Sequence, residues 1–233
     1  MSKLKLFCFP YAGGSAIIYK NWSEFLNPSI ELIPIELAGR GKRIKDSFYD
    51  SIDDAVDDMF NQIKNDITGH NYVFFGHSMG ALIAYELIRK IKLMKLPRPK
   101  HVFFSGRKAP HVKDEKEKKY HLMDHEEFKE EVLKLGGTPP EFFEHKALMD
   151  FMLPMLRQDF KLADVSFHDR EIEPFEFNIS VLLGKDEEIT PEQADGWKRH
   201  TTGLCAIYYF NGGHFFLNSE TEQIVELINT TVL

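Results

Sequence analysis

Apolar residues cluster in six short runs along the chain, at Leu4 to Phe9, Ile30 to Ile35, Tyr72 to Phe75, His101 to Ser105, Ile179 to Leu183 and Cys205 to Phe210. Between most of these runs the apolar positions recur every three or four residues, the period of a helix with one buried face. A strand covered on both faces has no polar side to display, so continuous apolar runs alternating with amphipathic helices predict a mostly parallel sheet flanked by helices. From Ser51 to Ile67 the stripe is Ile52, Ala55, Val56, Met59, Phe60, Ile63 and Ile67, with Asp53, Asp54, Asp57 and Asp58 off it. This predicts a cover helix whose acids form a solvated face near its N-terminus.

The rhythm changes after Ser105. From Lys108 to about Pro174 no strand-like run occurs; the charged stretch KDEKEKK is followed by helical patterns. Asp124, with Glu127 three residues on, reads as the cap of HEEFKEEVLKL, which Gly136 and Gly137 end. PPEFFEHKALMDFMLP predicts a second helix bracketed by prolines, with Phe142, Phe143, Phe151 and Met152 on its buried face. The expected organisation is a core of residues 1–107 and 175–233 interrupted by a helical lid, residues 108–174.

At 233 residues and 43% hydrophobic, the chain suits one sizeable core. A formal net charge of -7 argues against a nucleic-acid binder, which needs a basic surface, and favours small molecules or proteins as partners. The stretch RKIKLMKLPRPK, Arg89 to Lys100, is basic, but it falls where a helix ends and cations are favoured there anyway. With no 18-residue apolar run and no signal-peptide pattern at MSKLKLFCFP, the expectation is no membrane contact and a cytoplasmic location. Cys8 and Cys205 sit in strand-like runs without metal-ligand spacing, so no metal site is expected from them and both read as buried, reduced thiols.

The chemistry centres on Gly76-His77-Ser78-Met79-Gly80, which joins an apolar strand to a helical pattern. G-x-S-x-G in that context is a nucleophile elbow: the serine is forced into a strained backbone, and the glycines give room where strand and helix meet. A serine hydroxyl is a poor nucleophile at neutral pH and needs a base, itself oriented by an acid. His77 points elsewhere from a sharp elbow, and His121 with His125 read as a solvated face. His214 lies in a Gly-Gly loop just beyond the last apolar run. The acid belongs after the preceding strand, where Asp186, Glu187 and Glu188 stand in succession; Thr190, Pro191 and Gln193 look like the start of the next helix and keep that loop short. Asp186 is first in line, and the order Ser78, Asp186, His214 is that of an α/β-hydrolase. Two backbone donors should face the developing oxyanion: Met79 after the nucleophile, and Ala12 or its neighbour Tyr11 in FCFPYAGGSA, where Gly13 and Gly14 allow close approach.

Taken together, FCFPYAGG, ELAGRGKR, GHSMGA, LGGTPPE, DGWKRHT and FNGGHFFL resemble, nearly end to end, the type II (external) thioesterases that accompany nonribosomal peptide and polyketide synthases. LGGTPPE falls in the lid, outside the shared hydrolase machinery. The resemblance implies an α/β-hydrolase fold, with the nucleophile at Ser78, the base at His214, the acid at Asp186, and the oxyanion donors at Met79 and the Tyr11/Ala12 turn. It also implies hydrolysis of acyl groups from the phosphopantetheine arm of carrier domains by a monomer without cofactor. A general esterase or acyltransferase acting on small esters or acyl-CoA is the alternative on the same fold. Two departures stand out: Ala38 replaces the family's usual proline, which should loosen that loop, and the acid loop is a residue short. Counting from Gly184 points to Glu187 and counting back from Ile189 to Asp186, the preferred reading.

Overall fold

Strands β1 (Leu4–Phe9), β2 (Ile30–Pro34), β3 (Tyr72–His77), β4 (His101–Ser105), β5 (Ile179–Gly184) and β6 (Cys205–Phe210) form one sheet in the order β2-β1-β3-β4-β5-β6. Every pairing in it is parallel. The computed structural model describes residues 3–113, 118–138 and 141–233, without the side chains of residues 141 and 142. All six expected strands are present, β3 and β5 running slightly beyond the apolar runs that announce them.

Alternation along each strand divides the interior into two layers. Phe7, Phe9 and Phe74 face the layer that holds the buried stripes of α1 (Ile52–Ile67) and α2 (Met79–Leu93). Leu6, Cys8, Val73 and Phe75 face the opposite layer, which contains Tyr19 and Trp22 from a 3-10 segment and Ile224, Val225 and Ile228 from the C-terminal helix. All seven predicted stripe residues of α1 are buried. Its acids do more than face solvent: Ser51 and Asp54 close a capping box, each side chain taking the other's backbone N–H. The basic stretch around the end of α2 is occupied by ion pairs, Lys90 with Asp57 and Lys92 with Glu173.

Between β4 and β5 the chain turns helical, with α3 (His125–Leu135), α4 (Glu141–Glu144) and α5 (Lys146–Ala163). Asp124 caps α3 by accepting the Glu127 N–H, and Gly136 ends it at φ 82°, the left-handed conformation that glycine takes most readily. These helices pack around a small cluster of Phe128, Val132, Phe143, Leu156 and Phe160, against which Ala12 is laid. Two expectations change. Pro154 does not bracket the helix: α5 continues through it to Ala163, held by the buried face Met155, Leu156, Asp159, Phe160 and Leu162. Phe151 is 62% exposed, because burial on α5 is concentrated beyond Pro154. The Phe142 side chain, Pro139, Pro140 and positions 114–117 of the charged run lie outside what is described. After β5 follow α6 (Pro191–Asp195), capped by the predicted Thr190–Gln193 box, α7 (Phe216–Ser219) and α8 (Thr221–Val232).

Candidate active site

Parallel strands deliver the loops after β1, β3, β5 and β6 to one edge of the sheet, the carboxyl edge, where open α/β sheets hold their ligands. Ser78 stands at that edge between β3 and α2 with φ 56° and ψ -112°, a conformation that a side chain tolerates only when its surroundings enforce it. The enforcement is visible. A Cβ on Gly76 would lie 2.2 Å from the Gly80 carbonyl oxygen, and one on Gly80 would lie 2.1 Å from the Phe9 carbonyl oxygen. Strand, elbow and helix therefore meet at a separation that only glycine permits. The Ser78 N–H donates to the Ser105 carbonyl at 2.8 Å, tying the elbow to β4.

His77 faces inward from the elbow, as expected, and is fully buried. Its Nδ1 is 2.9 Å from the Ser105 hydroxyl, and its ring lies 5.0 Å from that of His214. Burial, reinforced by the neighbouring His214, pushes its pKa well below the ordinary value, so this ring stays neutral beside the other.

His214 follows β6 in the Gly212–Gly213 loop. A Cβ on Gly184 would lie 2.5 Å from both the Gly212 and Gly213 carbonyl oxygens, so that loop rests directly on the end of β5. The acid against His214 is Glu187, whose Oε1 lies 2.6 Å from His214 Nδ1. A carboxylate only accepts, so Nδ1 carries the proton and Nε2 is left as the basic nitrogen. Glu187 Oε2 takes the Gly184 N–H at 2.6 Å, and the Glu187 side chain is 4% exposed. Asp186, the residue preferred from the sequence, is exposed to solvent and does not hold His214. The reason is backbone register: the Lys185 and Asp186 amides are bound to the Phe210 and Gly212 carbonyls, which presents the next side chain to the histidine.

Opposite the elbow, the Gly14 N–H closes a turn on the Tyr11 carbonyl at 2.9 Å, and Gly13 has φ 80°. Among the described residues no protein acceptor takes the N–H of Ala12 or Met79, which begins α2. The Tyr11 ring meets Phe215 edge-on at 4.8 Å and His77 at 5.8 Å, joining the turn to the histidine loop. Ala38 does not loosen its loop. Its N–H, which proline would lack, donates to the Tyr49 hydroxyl at 3.0 Å, and Tyr49 and Arg43 both bond Asp58 of α1. Sequence reasoning gave no role to Arg40, Asp159 or Phe215; ELAGRGKR and FNGGHFFL marked Arg40 and Phe215 only as parts of motifs, and nothing local marked Asp159.

A parallel sheet with covering helices, a strained serine on a glycine-flanked elbow and a carboxylate-held histidine at the same edge define an α/β-hydrolase. The chain belongs to the thioesterase family, whose domain profile matches residues 4–232. It is 35% identical to the gramicidin S biosynthesis protein GrsT of Aneurinibacillus migulanus, over 97% of this chain and 88% of that one. Among solved structures it is similar to ClbQ from the colibactin NRPS/PKS pathway (33% identity, TM-score 0.92, covering 99% and 97% of the two chains). It is also similar to the type II thioesterase BorB from the borrelidin biosynthetic cluster (29% identity, TM-score 0.84, covering 98% and 92%). The resemblance to type II thioesterases drawn from the motifs is borne out along the whole chain.

Proposed function

We propose that this protein is a serine thioesterase that hydrolyses acyl groups from the phosphopantetheine arms of carrier domains in a nonribosomal peptide or polyketide synthase. The observation that carries the reading is the Glu187–His214 pair at 2.6 Å, set at the same sheet edge as the strained Ser78 elbow, in a chain matched end to end by thioesterases. His214 Nε2 takes the proton of Ser78 as Oγ attacks the thioester carbon. The N–H groups of Met79 and of Ala12, or Tyr11 beside it, receive the oxyanion. Collapse expels the thiol, whose pKa of ~8.5 makes it an easy leaving group. His214 then activates water to release the acid and restore Ser78. The two half-reactions need no electron acceptor.

Residues 108–174 act as the lid in this reading, with the apolar cluster against Ala12 as the wall of the acyl chamber. An apolar wall suits an editing enzyme: one methylene changes binding by only ~1–3 kcal/mol, so varied acyl groups are accepted. No helix among the described residues is long and apolar enough to cross a membrane. The reading takes the enzyme as a cytoplasmic monomer that meets carrier domains by their arms. The test is hydrolysis of an acyl-phosphopantetheinyl carrier domain. Ser78→Ala should remain folded and lose turnover by about 10³-fold or more, and a serine-directed phosphonate should label the wild type only. Near-normal single-turnover hydrolysis by Ser78→Ala would overturn the reading.

A further inference from the structure

Arg40 and Asp159 are 119 positions apart in the chain, yet Arg40 Nη1 and Nη2 meet Asp159 Oδ2 and Oδ1 at 2.6 and 2.7 Å. Arg40 lies in the turn after β2 and Asp159 on α5, and their side chains are only 5% and 3% exposed. Such a pair is a poor means of stabilising a fold, since desolvating two charges costs about as much as their attraction returns, and apolar residues of similar volume often do better. Its remaining hydrogen bonds suggest another purpose. Asp159 Oδ2 also takes the Gly13 N–H at 2.7 Å, and Arg40 Nη1 donates to the Gly14 carbonyl at 2.9 Å. The pair thus grips the Gly13–Gly14 segment at both ends, immediately after Ala12.

We infer that Arg40 and Asp159 are positioning residues that aim the Ala12 N–H at the reacting carbonyl oxygen, so that the oxyanion hole is complete only while α5 is seated on the core. The inference rests on the serine thioesterase reading. Three features support it. Gly13 is left-handed at φ 80°, and a Cβ there would lie 2.7 Å from Leu156 Cδ1 of α5, so the turn and the helix are in direct contact. The carboxylate occupies the Gly13 N–H and so removes that donor from the site, while the adjacent Ala12 N–H has no protein acceptor among the described residues. An isolated carboxylate so near a developing oxyanion would oppose it, and the bidentate guanidinium cancels that charge. The insertion therefore supplies one half of a neutral clamp on the catalytic turn.

The experiment separates aim from stability with the full-length protein. The pair is replaced by apolar residues in the double variant Arg40→Met with Asp159→Leu, beside the single variants Asp159→Asn and Arg40→Lys. Each is assayed for melting temperature, for kcat and KM on a small activated thioester, and for affinity toward a trifluoromethyl ketone. In the ketone adduct the Ser78 oxygen bonds the carbonyl carbon, its proton passes to His214, and the oxyanion occupies the hole. Losing an oxyanion donor costs about 10²–10³ in kcat. The double variant should melt near the wild type, lose about 100-fold in kcat and in ketone affinity, and keep KM within about twofold. Each single variant, retaining part of the clamp, should lose about 10-fold. A folded double variant with wild-type kcat and ketone affinity would overturn the inference, as would a loss confined to KM. Should the double variant not fold, the single variants decide: a folded single variant with wild-type kcat and ketone affinity, or with a loss confined to KM, would overturn the inference. A wild type that binds the ketone but leaves thioesters intact would refute the thioesterase reading, and ketone affinities across the variants would still decide the role of the pair.

Discussion

Glu187 ties His214 to the end of β5, with Oε1 on His214 Nδ1 and Oε2 on the Gly184 N–H, both at 2.6 Å. Each oxygen is committed, so the carboxylate cannot swing away, and the imidazole inherits its orientation from β5. Asp186 stands beside it in the sequence and outside it in space.

Removing the charge of Glu187 should therefore cost far more than removing that of its neighbour. Glu187→Gln offers an amide where Nδ1–H needs an acceptor and invites the wrong tautomer; kcat should fall by about 10³–10⁴. Glu187→Asp, one methylene short, should fall between that variant and the wild type. Asp186→Asn should stay within about twofold. Steady-state hydrolysis of a thioester by the three purified variants checks the order, and a larger loss in Asp186→Asn would contradict the assignment.

Most of the architecture was legible because it is written in short-range patterns. A two-sided buried strand such as β3 must be continuously apolar, the α1 stripe must repeat with the helical period, and Thr190 or Asp124 caps only the residues next to it. The site was legible where geometry is local, as at Ser78, whose flanking glycines announce a close approach. It was not legible where direction depends on distant backbone. The choice between Asp186 and Glu187 is made by amides bonded to the Phe210 and Gly212 carbonyls, some 25 residues on. The continuation of α5 through Pro154 depends on the core it covers, and the partner of Arg40 lies 119 positions away. An apolar pattern also cannot distinguish a residue that covers a core from one such as Phe151, left open to solvent.

Gly136 and Gly137 read alike in sequence but serve different ends. Gly136 takes φ 82° with nothing within 4 Å of where a Cβ would stand, whereas a Cβ on Gly137 would lie 2.1–2.5 Å from ring atoms of Phe215, the residue after His214. Gly136→Ala should cost about 1 kcal/mol of stability through its strained cap and leave turnover intact. Gly137→Ala should push the Phe215 ring, lowering kcat/KM about 10-fold with little change in melting temperature. Phe215→Leu in that background should recover part of the loss. Equal effects of the two alanines on turnover would mean that the Gly137–Phe215 contact does not matter to the site.

Buried neutral histidines make stability depend on pH in a direction that can be worked out. Burial pushes His101 down to about 4, its Nε2 lying 2.9 Å from the Ser180 hydroxyl. Burial, with help from His111, Arg199 and Arg89, pushes His200 down to about 3, its ring between the Tyr85 hydroxyl and His111 Nδ1. His77 is lowered in the same sense. In the unfolded chain these imidazoles take up protons near pH ~6.5, which the native state refuses. Their contribution is therefore complete above that pH, declines as pH falls from ~6.5, and levels off only near the folded values, about 4 for His101 and about 3 for His200. Each adds at most about 1.4 kcal/mol per pH unit to the slope. Asp164 works oppositely, burial raising its pKa above the ordinary carboxylate value, so the cleanest window is the first part of the decline, just below pH ~6.5. Urea unfolding across that window should show stability falling with acid. In His101→Gln, whose amide still reaches Ser180 but binds no proton, the slope should be smaller by about one proton. Equal slopes in the two proteins would show that His101 titrates alike in the folded and unfolded states.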